Sequence, residues 1–216
     1  MSYKDKICRR AAQEIGFGNV INLGIGIPTW IPRYIPDEKN VIVHSENGIL
    51  GMGRDCNLEN ADRDLIDAGG TYIQLKKGAS FVDSAVSFAL VRSKRLDISV
   101  LGALEVDENG DLANWIMPGR HTPGIGGAME LAQKANTLIV ATTHCTKKGQ
   151  KKILRRCNLP ITAKACVNII ITELAVIAVS PKGLTLQEIA QETTLDEVLD
   201  KTEGKLTISE QGIKTF

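Results

Sequence analysis

The chain has 216 residues, 43% of them hydrophobic and only 4% aromatic, so it can bury a sizeable and mostly aliphatic core. Its 26 basic and 25 acidic residues leave a formal charge of +1, which gives no general reason to bind nucleic acid or an anionic membrane. No apolar run approaches the roughly 20 residues of a membrane span, and Met1-Ser2-Tyr3-Lys4-Asp5-Lys6 leads into an amphipathic pattern rather than a signal-peptide core, so a cytoplasmic protein is expected.

Apolar Ile7, Ala11, Ala12 and Ile15 recur at helical spacing and predict an opening helix that stops near Gly16 or Gly18. Val20 to Gly26 reads as a strand running into a glycine turn, and Pro28 suits the first turn of a short helix through Trp30 to Tyr34. Val41-Ile42-Val43-His44 is a second short strand. Phe81 to Leu96 reads as a buried helix with Asp83 as its N-cap, followed by a strand from Ile98 to Gly102. Gly127 to Lys134 fits a helix and Thr137 to Thr142 a strand. Thr185-x-x-Glu188 and Thr194-x-x-Glu197 read as capping boxes opening two late helices. Short apolar strands interleaved with helices predict an α/β fold: one domain over residues 1–216, with a mainly parallel sheet and helices on both faces. Ligands of such sheets gather where strands end in glycine-rich turns.

The five cysteines are odd in number and contain no C-x-x-C pair, so neither a disulfide framework nor a zinc site is expected. His144-Cys145 is the one neighbouring His/Cys pair, and adjacent side chains rarely converge on one ion. No metal is expected, and the thiols read as small, reduced and partly buried.

Three glycine-dense segments can carry chemistry: Asn22 to Thr29, Ser45 to Gly53, and Gly124 to Met129. Glycine allows close approach of backbone N–H groups to a ligand, and the first segment could aim such groups at an anion. The third suggests a dinucleotide turn but fails in detail. Its sixth position is Met129, Pro118 to Pro123 precedes it where a strand should, and no acidic residue follows at the ribose-binding distance. Glu46 follows a strand directly, although glutamate is a poor strand residue. At a strand's carboxyl end it is either a nucleophile, able to form an acyl anhydride from a thioester, or a solvated turn residue. Ser45 and Ser84 lie in no G-x-S-x-G motif. His44 and His121 read as packing or hydrogen-bonding residues. Lys147 to Lys152, with Arg155-Arg156, reads as a solvated basic face that could also contact phosphate.

Ser45-Glu46-Asn47-Gly48, followed by Gly51-Met52-Gly53, resembles the signature of the glutamate-bearing β subunit of family I CoA transferases, the 3-oxoacid CoA-transferase group. The resemblance extends in order over nearly the whole chain. It takes in Asn22 to Thr29, Asp83 to Leu90, Gly110 to Trp115, Pro118-Gly119, Gly126 to Met129, Cys157 to Thr162 and Thr172 to Val176. The chain departs from the pattern at His44, where glutamine is usual, at Arg120, where lysine is common, at His121, and in the charged stretch Arg54 to Asp62. The resemblance implies the CoA-transferase or NagB-RpiA-like fold and ping-pong transfer through a glutamyl-CoA thioester on Glu46. It further implies Gly126 and Gly127 as oxyanion donors, and a CoA thioester as substrate rather than any resident cofactor. Asn47, Gly24 and Gly26 complete the expected oxyanion and CoA-binding set. Asn47 either orients the carboxylate or stabilises the turn. An α subunit is the implied partner, in a heterodimer or heterotetramer, with acyl-CoA and small carboxylic acids such as acetoacetate as substrates and neither nucleic acid nor membrane as a partner. An acyl-CoA hydrolase on the same scaffold and a non-catalytic effector-binding module are the alternatives.

Overall fold

The structure, a computed structural model, describes residues 1–119 and 124–216. Helix α1 (Tyr3–Gln13) opens on a capping box: the Ser2 hydroxyl accepts from Asp5 N–H and the Asp5 carboxylate accepts from Ser2 N–H. Its Ile7, Cys8, Ala11 and Ala12 form a buried stripe, continued by Ile15 just beyond the helix. The first strands are β1 (Val20–Leu23), β2 (Ile42–Ser45), β3 (Ile49–Asp55) and β4 (Ile73–Phe81). The segment Pro28–Tyr34 is helical as expected but of the 3-10 type. Helix α2 (Ser84–Arg92), β5 (Ile98–Leu101), β6 (Glu105–Asp107), β7 (Leu112–Ala113) and α3 (Ala128–Lys134) come next. The chain closes with β8 (Thr137–Ala141), β9 (Ile153–Leu154), β10 (Ile169–Ile171), β11 (Ala175–Ser180), β12 (Gly183–Ile189), α4 (Leu195–Lys201), β13 (Leu206–Ile208) and β14 (Lys214–Thr215).

Among the described residues, eleven strands form one sheet in the order β13-β12-β11-β10-β8-β5-β1-β2-β3-β4, with β14 beside β12. Its centre, β10-β8-β5-β1-β2, is wholly parallel. Antiparallel hairpins, β2-β3-β4 on one side and β10-β11-β12 on the other, extend it, so the sheet is mixed. Successive residues of the central strands face opposite layers. Ile21, Val100, Ile139 and Ile171 pack with α1. On the other face Leu101, Leu138, Val140 and Ile170 pack with Val198 of α4 and with a small sheet of order β7-β6-β9. Val20 meets Val91 of α2 and Leu131 of α3 on that same side of β1. Both faces are covered, which is why these strands are mostly apolar, with Asn22, His44, Ser45 and Ser99 as buried polar exceptions.

Two expectations need correction. Thr185 and Glu188 open no helix: they lie in β12, where Leu184 and Leu186 are buried and Gln187 is exposed. That alternation of period two outweighs the cap-like spacing. The helix expected over Phe81 to Leu96 is shorter and less buried. Phe81 ends β4, Asp83 is the N-cap with its carboxylate accepting from Val86 N–H, and within α2 only Ser87 and Val91 are buried. Thr194 does cap α4, accepting from Glu197 N–H.

Candidate active site

Strand β2 ends at Ser45, and the chain reverses through Glu46-Asn47-Gly48 into β3. Gly48 N–H donates to Ser45 C=O at 2.9 Å, which closes the turn. Only glycine fits at 48, because φ is +111° and a Cβ would lie 2.0 Å from the Val82 carbonyl oxygen. Ser45 is buried and its Oγ accepts from Ala68 N–H at 3.0 Å. Anchored on both sides, Glu46 stands half-buried at the carboxyl end of a parallel strand, the position where open α/β sheets gather ligands.

The glycine loop before α3 reaches this carboxylate. Gly127 N–H donates to Glu46 Oε1 at 3.1 Å. A Cβ on Gly127 would lie 2.8 Å from Glu46 Oε2 and 2.7 Å from Phe88 Cζ, so a side chain there has no room. Gly126, at φ +53°, has its Cβ position 3.5 Å from Glu46 Oε1. Residues 81 apart in sequence thus meet, with an amide hydrogen aimed at a carboxylate oxygen in a charge-assisted bond. The pairing puts a carboxylate, a group that can act as a nucleophile, and a fixed backbone donor at one point.

Other expected site residues are placed differently. Asn47 Nδ2 donates to Ile66 C=O at 2.8 Å, so its amide ties the turn to the following segment instead of reaching the carboxylate. Gly24 lies at the carboxyl end of β1, but its N–H donates to Val100 C=O at 2.8 Å and so serves the sheet rather than an anion. Gly26 takes φ +104° in a turn whose carbonyl accepts from the Thr29 hydroxyl at 2.8 Å. Arg120 and His121 lie outside the described residues. In the basic run Lys147, Lys148 and Lys151 are exposed, whereas Lys152 turns inward. Lys152 Nζ donates to Thr142 Oγ1 at 2.8 Å and to Ala103 C=O at 3.2 Å, and burial lowers its pKa.

His144 is fully buried, its ring nitrogens 2.9 Å from Thr172 Oγ1 and 2.9 Å from Thr202 Oγ1. Burial raises the thiols of Cys8 to about 11 and Cys166 to about 12, which suits inert reduced thiols. Ser87 and Phe88 of α2 touch the site, although the sequence reading assigns neither an individual role. The signal that could have marked them was Ser87 itself, a hydroxyl inside an apolar helix and one turn beyond the Asp83 cap. Ser87 Oγ is 2.8 Å from His44 Nε2, but it is wholly buried, so no substrate reaches the hydroxyl and the pair is not a nucleophile and its base.

The family model described as "Coenzyme A transferase" matches residues 4–201. The beta chain of a probable coenzyme A transferase of Bacillus subtilis is 44% identical over 95% of this chain and 94% of its own length. The beta chain of the acetate CoA-transferase of Escherichia coli K12 is 44% identical over 97% and 95%. The corresponding B-type chain of the succinyl-CoA:3-ketoacid coenzyme A transferase of Helicobacter pylori is 42% identical over 95% and 99%. Among solved structures, the acyl-CoA transferase YdiF of Escherichia coli O157:H7 superposes with a TM-score of 0.79 at 23% identity. It covers all of this chain, which spans 43% of the YdiF chain. A matched family model over nine-tenths of the sequence, relatives above 40% identity and a shared fold lead to one conclusion: the chain belongs to the coenzyme A transferase family.

Proposed function

We propose that this chain is the glutamate-bearing β subunit of a CoA transferase that moves CoA between an acyl-CoA and a short carboxylic acid, such as the 3-oxo acid acetoacetate, with Glu46 as nucleophile. The observation that carries the reading is the Gly127 N–H aimed at Glu46 Oε1. In the first step a Glu46 carboxylate oxygen attacks the thioester carbonyl, and the C–S bond breaks with its electron pair on sulfur. The products are a mixed anhydride and CoA thiolate. The thiolate then attacks the glutamyl carbonyl and expels the substrate carboxylate, leaving a glutamyl-CoA thioester. An incoming carboxylate runs both steps in reverse and departs as its CoA ester. When the glutamyl carbonyl is attacked, negative charge grows on the glutamate's own oxygen, where the Gly127 hydrogen already points. No resident cofactor enters this sequence of steps.

An α subunit is the proposed partner. The relatives support it, since each is named as one of two kinds of chain, beta or B. So do exposed apolar side chains on the segments that adjoin this turn: Phe81, paired with Ile49 of β3, Val86 of α2, Met129 of α3, and Ile25, which lies against Gly69. Among the described residues no helix is long and apolar enough to cross a membrane, and cytoplasmic location is part of the proposal. Relatives at similar identity act, by name, on acetate and on 3-ketoacids, so the acid is chosen by testing. Co-expression with an α subunit, followed by a panel of acyl-CoA donors against acids, is the experiment. CoA appearing on an acceptor acid faster than it is released to water supports the transferase. Release to water that no acid diverts makes the protein a hydrolase.

A further inference from the structure

We propose that His44, acting through Ser87, is a positioning residue that holds the main chain of Glu46 in register with the Gly127 amide. The inference rests on the reading of Glu46 as nucleophile and adds a role for two buried side chains that touch no substrate.

Three contacts make a continuous line. Asn22 Nδ2 is 3.3 Å from His44 Nδ1, His44 Nε2 is 2.8 Å from Ser87 Oγ, and Ser87 Oγ donates to the Glu46 carbonyl at 2.9 Å. The direction of every hydrogen follows from donor counting. A carbonyl only accepts, so the single hydroxyl hydrogen of Ser87 goes to Glu46. Towards His44, Ser87 is then an acceptor, so Nε2 carries the ring hydrogen. Nδ1 is left with a lone pair, which needs a donor. Asn22 supplies it, and its amide orientation is fixed because Nδ2 also donates to the His44 carbonyl at 3.2 Å. The relay therefore runs one way, Asn22 to His44 to Ser87 to Glu46. Asn22 is 4% exposed, His44 2% and Ser87 0%, so the line is shielded from bulk solvent. Burial pushes His44 down to about 4, which keeps the ring in the neutral form that the relay needs.

The geometry also explains why this carbonyl matters. Glu46 lies where the hairpin turns, and Ser87 holds its main chain from the first turn of α2. The next residue, Phe88, lies against Gly127. One turn of helix thus touches both halves of the carboxylate–amide pair, and a displacement of Ser87 shifts one half relative to the other. Misplacement by about 1 Å can cost on the order of 100-fold in rate.

The test uses the complex with its α subunit and measures kcat, KM, and the rate at which CoA becomes attached to Glu46 in a single turnover. Ser87→Ala and His44→Leu are expected to lower kcat and the attachment rate by about 10- to 100-fold, while KM for the acyl-CoA stays within about twofold, since neither residue touches substrate. His44→Gln presents an N–H to Ser87 and an oxygen to Asn22, and is expected to recover most of the rate lost in His44→Leu. The double variant is expected to be no slower than the slower single one, since both break one line. Wild-type rates in Ser87→Ala overturn the inference, as does a His44→Gln as slow as His44→Leu. If His44→Leu does not fold, Ser87→Ala, which deletes one oxygen atom, decides alone. Failure of the wild-type complex to attach CoA to Glu46 sinks the nucleophile reading itself and is told apart by that measurement.

Discussion

At the scale of single residues, function depends on which atoms are absent. Gly127 has no side chain, and its Cβ position is already claimed by Phe88 and by the Glu46 carboxylate. Gly127→Ala is therefore expected to push the loop off Glu46 and lower kcat by about 100- to 1000-fold, the usual cost of losing one oxyanion donor, with the protein still folded. A steady-state assay beside a thermal melt checks this, and an alanine variant with normal kcat contradicts it. The sequence made Glu46 legible as a carboxylate after a strand, and the resemblance singled it out among 25 acidic residues. It did not make Asn47 or Gly24 legible. Their partners, Ile66 C=O and Val100 C=O, lie 19 and 76 positions away, and hydrogen bonds over such separations are fixed by the fold alone.

Among the elements, the buried histidines set a pH response. Burial brings both His44 and His144 down to about 4, whereas an unfolded-chain histidine titrates near 6.5. Between those values the unfolded chain binds more protons than the folded one. Stability is thus fully present above pH ~6.5 and is lost as pH falls towards 4, by on the order of 3 kcal/mol per histidine. Urea midpoints at pH 7.5 and pH 5 are expected to differ accordingly, and His144→Gln is expected to shrink the difference. An unchanged slope in that variant means His144 is not a source. His144 binds Thr172 at the end of β10 to Thr202 just after α4, so protonation loosens the junction of those elements. Local signals placed three helices: periodicity marked α1, and the caps Asp83 and Thr194 marked the starts of α2 and α4, although α2 is shorter and less buried than its apolar run suggested. They conflicted at β12, where the threonine-glutamate spacing suited a cap while Leu184 and Leu186 alternated as in a strand, and pairing with β11 follows the alternation.

In the whole molecule, the covered parallel centre was readable because Val20-Ile21, Ile98 to Leu101 and Leu138-Ile139-Val140 carry apolar residues to both faces. The antiparallel hairpins at either side were not: β4 is largely exposed and lacks that mark, while β11, buried over Ala175-Val176-Ile177, carries nothing that states its direction. The consequence of the layered plan is that β2 and the loop before α3 converge, bringing Glu46 and Gly127 together. The central claim, that Glu46 accepts CoA, has one direct measurement: peptide mapping by mass spectrometry after the αβ complex meets an acyl-CoA without acceptor. A CoA mass on the peptide containing Glu46, lost on addition of acceptor acid and absent in Glu46→Ala, is the predicted result. An unmodified Glu46 peptide in a complex that still transfers CoA would contradict it.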